Sequence, residues 1–124
     1  MNEALRYLNN AKEILKNAPV EDNYYTDVKY VQEACGTAYL AILKAINEYL
    51  LNKGLSKKEL PKSYESYTKA LRKHLSMHNG KLFKQFDYLY DELHLAGYYR
   101  GDLHNVNMVK EALKSAKAFI EKIG

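Results

Sequence analysis

Apolar residues recur every three to four positions along most of this chain, which is the spacing of one face of a helix. No segment alternates apolar and polar residues with the period of two that a strand shows, so we expect no sheet. Short connections favour antiparallel neighbours. The expected fold is therefore all-α, an antiparallel up-and-down bundle of four to five helices. The predicted helices cover about residues 2–16, 26–53, 63–77, 81–95 and 105–122.

Proline and glycine residues separate these helical segments. Pro19 and Pro61 fall between segments, as expected of residues that break helices. Gly54 follows the second segment, where glycine commonly ends a helix. Gly97 is expected to end the fourth helix, so that a loop runs from Gly97 to His104.

The middle of the second helix is built from small residues around Gly36. Glycine lowers helix stability, so its presence here predicts close packing of another helix at this point. Cys35 lies on an apolar face with Val31, Ala34 and Ala38. We therefore expect the thiol to be a buried packing group and not a catalytic nucleophile.

Length and composition favour a single folded domain over residues 1–124. Hydrophobic residues make up 47% of the chain, and no run approaches the roughly 20 apolar residues of a membrane helix. The start of the sequence lacks the apolar core of a signal peptide. A cytoplasmic protein with no membrane partner is the prediction. No glycine-rich phosphate loop or paired cysteine motif occurs, so we expect no cofactor.

Tyrosine is unusually common, with 12 Tyr against 3 Phe and no Trp. The tyrosine ring favours burial while its hydroxyl needs a polar partner, so tyrosine suits half-exposed surfaces. Two interpretations stay open at this stage. The tyrosines either form a subunit interface or ligand groove, or they line the edge of the core.

Positive charge is concentrated between Lys57 and Lys84, where eight cations stand against two acids while the whole chain carries +4. Clustered cations attract phosphates, and tyrosines such as Tyr64 and Tyr67 can stack on bases. A solvated face that keeps the protein in solution is the alternative. The candidate nucleic-acid-binding residues are Lys69, Arg72, Lys73, Lys81, Lys84, Tyr98 and Tyr99.

Two histidines, His74 and His78, have the four-residue spacing at which a helix can present both to one metal ion. No Asp or Glu lies within the same turns to act as a third ligand. The sequence therefore predicts no metal site.

The segment before the last helix contains Arg100, Asp102 and His104 within five residues. Arginine can stabilise the charge that develops on a phosphate, and histidine can transfer a proton near neutral pH. The set thus suits phosphodiester cleavage. It is also typical of an ordinary loop in which His104 and Asn105 form the cap of the next helix.

Three helical patterns in this order resemble those of the HEPN superfamily, a group of small helical bundles. The resemblance covers most of the chain and rests on helix order and apolar spacing. The patterns are Ala4-Leu5-x-x-Leu8-x-x-Ala11-x-x-Ile14-Leu15, Val31-x-x-Ala34-x-x-x-Ala38-Tyr39-x-Ala41, which resembles the central helix of that superfamily, and Glu111-Ala112-Leu113-x-x-Ala116-x-x-Phe119-Ile120.

The resemblance implies a homodimer, and it implies RNase activity or nucleotide binding. The superfamily's active site is an arginine followed by a histidine near the start of the last helix. Its nearest counterpart here is Arg100 and His104, with fewer residues between them than the family pattern has, while a second alignment places His94 where the arginine would be. The leading expectation is therefore a noncatalytic homodimeric binding domain that contacts RNA or a nucleotide. A bacterial family with this fold is also consistent with the resemblance.

Two alternatives remain open. In the first, the chain is a metal-independent RNase in which Arg100 stabilises charge and His104 acts as general acid and base. In the second, it is a protein–protein interaction module whose tyrosine-rich surface binds another chain.

Overall fold

The computed structural model describes residues 2–75 and 80–124 and confirms an all-α fold. Met77, to which the third helix was predicted to extend, lies outside the described residues. Within the described ranges, no helix is both long and apolar enough to cross a membrane. The helices are α1 (Glu3–Lys16), α2 (Val28–Asn52), a 3₁₀ turn (Lys57–Glu59), α3 (Tyr64–His74), α4 (Lys81–Leu89), a π-helix (Tyr90–Arg100) and α5 (Val106–Ile123).

Helix α2 lies at the centre and packs against α1, the π-helix and α5. Its alanines are buried together with larger side chains such as Ile42, Ile46 and Leu50. Small residues let neighbouring helices approach closely, and each buried Ile or Leu contributes roughly 1.5–3 kcal/mol. The central helix therefore holds the bundle together and fixes where the other helices lie.

Polar side chains cap the starts of the helices, as their positions in the sequence indicate. The Asn2 side chain accepts a hydrogen bond from the backbone N–H of Leu5 at 2.8 Å. Asn105 accepts one from Met108 at 3.0 Å, so the prediction of a cap before the last helix is confirmed. Such caps satisfy backbone donors that have no partner within the helix.

The prediction that the chain contains no sheet is wrong in one place. Val20–Glu21 (β1) and Tyr24–Tyr25 (β2) form an antiparallel hairpin. Its two turn residues, Asp22 and Asn23, have positive φ angles of 51° and 66°. This is the geometry of a tight type I′ turn, which Asn and Asp tolerate better than most residues. Two-residue strands are too short to produce a period-two pattern.

The hairpin is joined by backbone hydrogen bonds to the start of α5. The N–H of Tyr25 donates to the carbonyl of His104 at 2.8 Å, and the N–H of Val106 donates to the carbonyl of Asn23 at 3.0 Å. These bonds tie the connection after α1 to the beginning of the last helix. The hairpin therefore closes one end of the space between α1 and α5.

The prediction that Gly97 ends the fourth helix is also wrong. Helix α4 continues directly into the π-helix, and Gly97 is buried inside it. The helix ends at Gly101, which adopts φ 66° and is followed by the bond from the Asp102 N–H to the carbonyl of Ala96. Long π-helical segments are rare. Here glycine serves close helix packing at position 97 and helix termination at position 101.

Candidate functional site

Helix α2 and the π-helix approach each other closely, and each has a glycine at the contact. A Cβ atom on Gly97 would lie 2.5 Å from the Sγ of Cys35, and a Cβ atom on Gly36 would lie 2.8 Å from Cδ1 of Tyr98. Real Cβ atoms do not approach other heavy atoms that closely. The predicted close packing at Gly36 is confirmed, and its partner is the tyrosine ring of the π-helix.

Cys35 is fully buried, as the sequence indicates. Burial, and to a smaller extent the charge of Glu92, raises the pKa of this thiol to about 12. Because the thiolate is the reactive form, a thiol held neutral at pH 7 is a poor nucleophile. Cys35 therefore serves packing against Gly97.

An apolar groove of about 610 Å³ lies between α1, α2 and the π-helix, and we call it the tyrosine groove. Leu40 and Tyr98 each keep 49% of their surface exposed at this groove. Large apolar side chains exposed side by side are typical of interaction surfaces. The groove is lined by Ile14, Glu33, Gly36, Thr37, Tyr39, Leu40, Leu43, His94 and Tyr98.

A ladder of rings runs from α3 along the π-helix to the tyrosine groove. Tyr64 stacks on Tyr90 with ring centroids 4.1 Å apart, Tyr90 on His94 at 5.3 Å, and His94 on Tyr98 at 5.9 Å. Tyr39 of α2 approaches His94 at 4.9 Å. The ladder gives the π-helix a stiff aromatic edge, because offset ring pairs stabilise one another.

Both interpretations of the tyrosine content apply, each to different residues. Tyr67 is buried and donates a hydrogen bond to Asn47 at 2.9 Å, so its ring is not free to stack on a base. The Tyr64 hydroxyl donates to Asp87, a bond that raises the pKa of this tyrosine to about 12. Tyr99, by contrast, is 75% exposed. Core-edge packing explains the first two residues, whereas Tyr98 and Tyr99 remain available to a partner.

Arg100, Asp102 and His104 lie in the short connection between the π-helix and α5. The Nε of Arg100 donates to the carboxylate of Asp102 at 2.8 Å, and both side chains are largely exposed. The His104 side chain is exposed, while its backbone carbonyl holds the hairpin. Buried Leu103 separates the two halves of this connection. The predicted arginine is therefore engaged by its own neighbour.

The cations of the basic segment are exposed but point in different directions. The Arg72 guanidinium lies 4.3 Å from the centre of the Phe83 ring, between α3 and α4. Lys84, one residue later than Phe83, lines a shallow groove beside Ser115 of α5. All eight cations of this segment are exposed, and within the described ranges none of them forms a salt bridge. The five that lie on α3 and α4, which are the candidate binding residues, are Lys69, Arg72, Lys73, Lys81 and Lys84.

A second groove of about 610 Å³ lies between α1 and α5 and gathers five lysines that are far apart in the sequence. These lysines do not form a contiguous run of charge, so the sequence does not reveal the groove. The spacing of Lys12 and Lys16 on α1, and of Lys110, Lys114 and Lys117 on α5, is visible in the sequence, but the two rows meet only because α1 packs against α5. We call it the lysine groove; its lysines are Lys12, Lys16, Lys110, Lys114 and Lys117.

Side chains that could bind a metal ion are scattered in the part of the chain that the structure describes. No group of three or more His, Cys, Asp or Glu side chains is arranged there to hold an ion. His74 ends α3, and its predicted pair partner His78 lies outside the described residues.

Comparison with known proteins gives a family without an assigned activity. A solved structure of a "protein of unknown function from Dyadobacter fermentans" superposes with a TM-score of 0.79 at 33% sequence identity, covering 98% of this chain and 89% of that chain. No curated protein matches. The family model described as "Domain of unknown function (DUF5618)" matches residues 1–124. The chain therefore belongs to the DUF5618 family.

Proposed function

We propose that this chain is a noncatalytic, HEPN-like homodimeric binding domain that contacts RNA. The observation that carries the proposal is the set of exposed cations on α3 and α4, none of which forms a salt bridge with a described residue. Cations without a salt bridge attract phosphates without losing an acidic partner, and release of counterions from the nucleic acid favours the complex. The central position of α2 agrees with the HEPN resemblance.

The outer face of α3 is the most suitable part of this surface for RNA. Lys69 and Lys73 are four residues apart and exposed, so their ammonium groups lie on one side of the helix. Arg72 is also exposed but packs over Phe83, and its loss would disturb the contact between α3 and α4. The two lysines therefore allow the surface charge to be changed without touching the core.

The noncatalytic part of the proposal rests on the surroundings of Arg100. Its guanidinium is paired with Asp102, whose negative charge opposes the binding of a phosphate at that position. A transition state for phosphodiester cleavage needs the arginine charge to be available to the phosphate. Breaking the pair with Asp102 would have to precede that step.

The homodimer is proposed to form through the tyrosine groove. Leu40 and Tyr98 are half exposed there, beside the partly buried Ile14 and Leu43. Burying such apolar surface against a second copy removes it from water at about 25 cal/mol per Å². The stiff ring ladder behind the groove keeps the surface in one shape, which lowers the entropy cost of association.

A charge-reversal experiment tests the RNA contact. Labelled single-stranded RNA is titrated with the wild type and with Lys69→Glu/Lys73→Glu, and its anisotropy is followed. We expect binding to weaken by about tenfold or more, because two phosphate contacts become repulsive. Lys110→Glu/Lys114→Glu is the matched control, since it changes the net charge equally at the same spacing on α5. Equal weakening of RNA binding by both pairs of substitutions would show that only the net charge of the protein matters, which contradicts the proposal.

The tyrosine groove also favours a second candidate function, a protein–protein interaction module. The same exposed Leu40 and Tyr98 would then contact a different protein. Sedimentation of the purified chain separates the two cases. The interaction module would be favoured if the chain is a monomer over the micromolar range and binds no RNA. Recovery of one stoichiometric partner from the native host would complete that case.

A further inference from the structure

The lysine groove has two positively charged walls that face each other across an apolar floor. Lys12 and Lys16 stand on α1, and Lys110, Lys114 and Lys117 stand on α5. Within each helix the spacing is four or three residues, which places the lysines in a row along one side. The groove is thus flanked by one row of cations on each side.

Among the described residues that line the groove, none is acidic, so these rows are not neutralised there. Lys16 pairs with Glu13 on the same helix at 2.8 Å. The other four lysines form no salt bridge with any residue in the described ranges. Like charges gathered in one place repel one another, so a negatively charged occupant relieves a repulsion that the free protein carries.

The floor of the groove is apolar and partly open to solvent. Leu15 and Leu113 contribute from the two helices, and Tyr25 and Val106 are buried at the end closed by the hairpin. Val20 projects from β1 with 54% of its surface exposed. An occupant therefore gains by placing an apolar surface on this floor.

The dimensions indicate the form of that occupant. Lys110 and Lys117 are seven residues apart, which corresponds to about 10 Å along the axis of α5, or two helical turns. Two turns of a partner α-helix that lies along the groove cover the same length and can present an acid at each turn. A single phosphate or carboxylate would need only one or two of the lysines, whereas two rows on opposite walls match two rows of acids.

We propose that the lysine groove is the docking site of an acidic amphipathic helix from another protein. The partner helix places an apolar stripe on Leu15, Val20 and Leu113, and carries Asp or Glu on both flanks of that stripe. The flanking carboxylates pair with the lysines of α1 on one side and with those of α5 on the other. This is helix-in-groove recognition, in which apolar anchors give affinity and complementary charge sets orientation.

A synthetic peptide tests this proposal. The probe is a labelled peptide of about 18 residues with Leu repeating at i, i+3, i+4 and i+7 and Glu on both flanks of the leucine stripe. A scrambled peptide of the same composition is the control, because it has the same charge but no apolar stripe. We expect the patterned peptide to bind the full chain at least about tenfold more tightly than the scrambled one.

Two variants locate the binding site. We expect Lys110→Glu/Lys114→Glu to weaken peptide binding by about tenfold or more, because acids then face acids. The matched pair Lys69→Glu/Lys73→Glu, which alters the proposed RNA surface, should leave peptide binding unchanged. Val20→Asp changes an exposed residue of the floor, so it should weaken binding without unfolding the chain. Circular dichroism checks the fold of each variant.

Three results would overturn the inference. Equal binding of the patterned and scrambled peptides would show attraction to any polyanion. Retained peptide binding in both Lys110→Glu/Lys114→Glu and Val20→Asp would place the peptide elsewhere. Loss of RNA binding in Lys110→Glu/Lys114→Glu, together with displacement of the peptide by RNA, would make the groove a nucleic-acid surface. The first two results do not involve RNA, and comparison with Lys69→Glu/Lys73→Glu separates the third from the proposed RNA contact, so the two proposals can be distinguished when either fails.

Discussion

Single residues set the distance between α2 and the π-helix. Gly97 lies against Cys35, and a Cβ atom there would also come within 3.1 Å of the Glu92 carbonyl, which belongs to the backbone and cannot swing away. At Gly36 the obstacle is the ring of Tyr98, an exposed side chain that can rotate. The two glycines are therefore expected to differ in their tolerance of alanine.

We predict that Gly97→Ala lowers the free energy of unfolding by about 1–3 kcal/mol or more, because it overpacks a buried contact. Gly36→Ala should change it by less than about 1 kcal/mol, since the gain in helix propensity offsets the displacement of Tyr98. Urea denaturation of both variants measures the difference. Equal losses at the two positions would show that Tyr98 does not move aside, and the absence of a loss in Gly97→Ala would contradict this packing.

Ionisation of the Cys35 thiol makes the stability of the fold depend on pH in the alkaline range. Its pKa is about 12 in the folded chain against 9.0 for an unperturbed thiol. The unfolded chain therefore loses this proton first as the pH rises. The contribution to stability is complete below pH 9 and decreases as the pH rises toward 12, with a slope of up to about 1.4 kcal/mol per pH unit.

Burial also raises the pKa of tyrosines such as Tyr39 above the unperturbed value of 10.0, so between pH 9 and 10 the thiol is isolated only by comparison with a variant that lacks it. We predict that the free energy of unfolding of the wild type decreases across this interval. The decrease should be smaller in Cys35→Ala, which has no thiol to ionise. Chemical denaturation at fixed ionic strength checks both slopes. Parallel slopes for the two proteins would mean that Cys35 is accessible to water.

At the level of elements, the hairpin depends on two residues with positive φ. Asn23 has φ 66°, where alanine is strained and glycine is not. We predict that Asn23→Ala lowers the free energy of unfolding by about 1 kcal/mol and that Asn23→Gly leaves it unchanged or raises it slightly. Thermal unfolding of the pair measures this. A loss in Asn23→Gly as large as in Asn23→Ala would point to the asparagine side chain and not to backbone strain.

Local signals in the sequence were sufficient for most elements. Apolar spacing located the helices, and the Asn2 and Asn105 side chains marked where two of them begin. The hairpin was missed because two-residue strands carry no period. Gly97 was misinterpreted as a helix end, since a glycine inside a helix looks the same in sequence as a glycine after one. Only the position of Cys35 on the neighbouring helix distinguishes the two cases.

At the level of the whole molecule, charge that is close in sequence and charge that is close in space differ. The contiguous cations of the basic segment spread over α3 and α4, with Arg72 and Lys84 on different sides. The lysine groove contains cations from both ends of the chain. No contiguous run of lysines in the sequence marks it. The spacing of three or four residues between lysines of one helix predicts the row on α1 and the row on α5 separately. Only the packing of α1 against α5 brings the rows together, and sequence alone does not give that packing.

The tyrosine groove makes a prediction about assembly. Leu40→Glu should shift the chain from dimer to monomer, because it places a charge in the apolar surface proposed to be buried between two copies. Leu51→Glu is the matched control, since Leu51 is an exposed leucine of the same helix outside the groove. Analytical ultracentrifugation gives both masses. A monomeric wild type, or a dimer that Leu40→Glu leaves intact, would contradict a dimer through this surface.

The most direct test of the central proposal is a titration of the purified chain into labelled single-stranded RNA at two salt concentrations. Anisotropy reports binding, and electrophoresis of the same samples reports the length of the RNA. We predict binding that weakens at the higher salt concentration, because the contacts are made to phosphates, with the RNA remaining intact. Shortening of the RNA that His104→Ala prevents would show instead that Arg100 and His104 form an active site, and an absence of binding at low salt would contradict any role in contacting RNA.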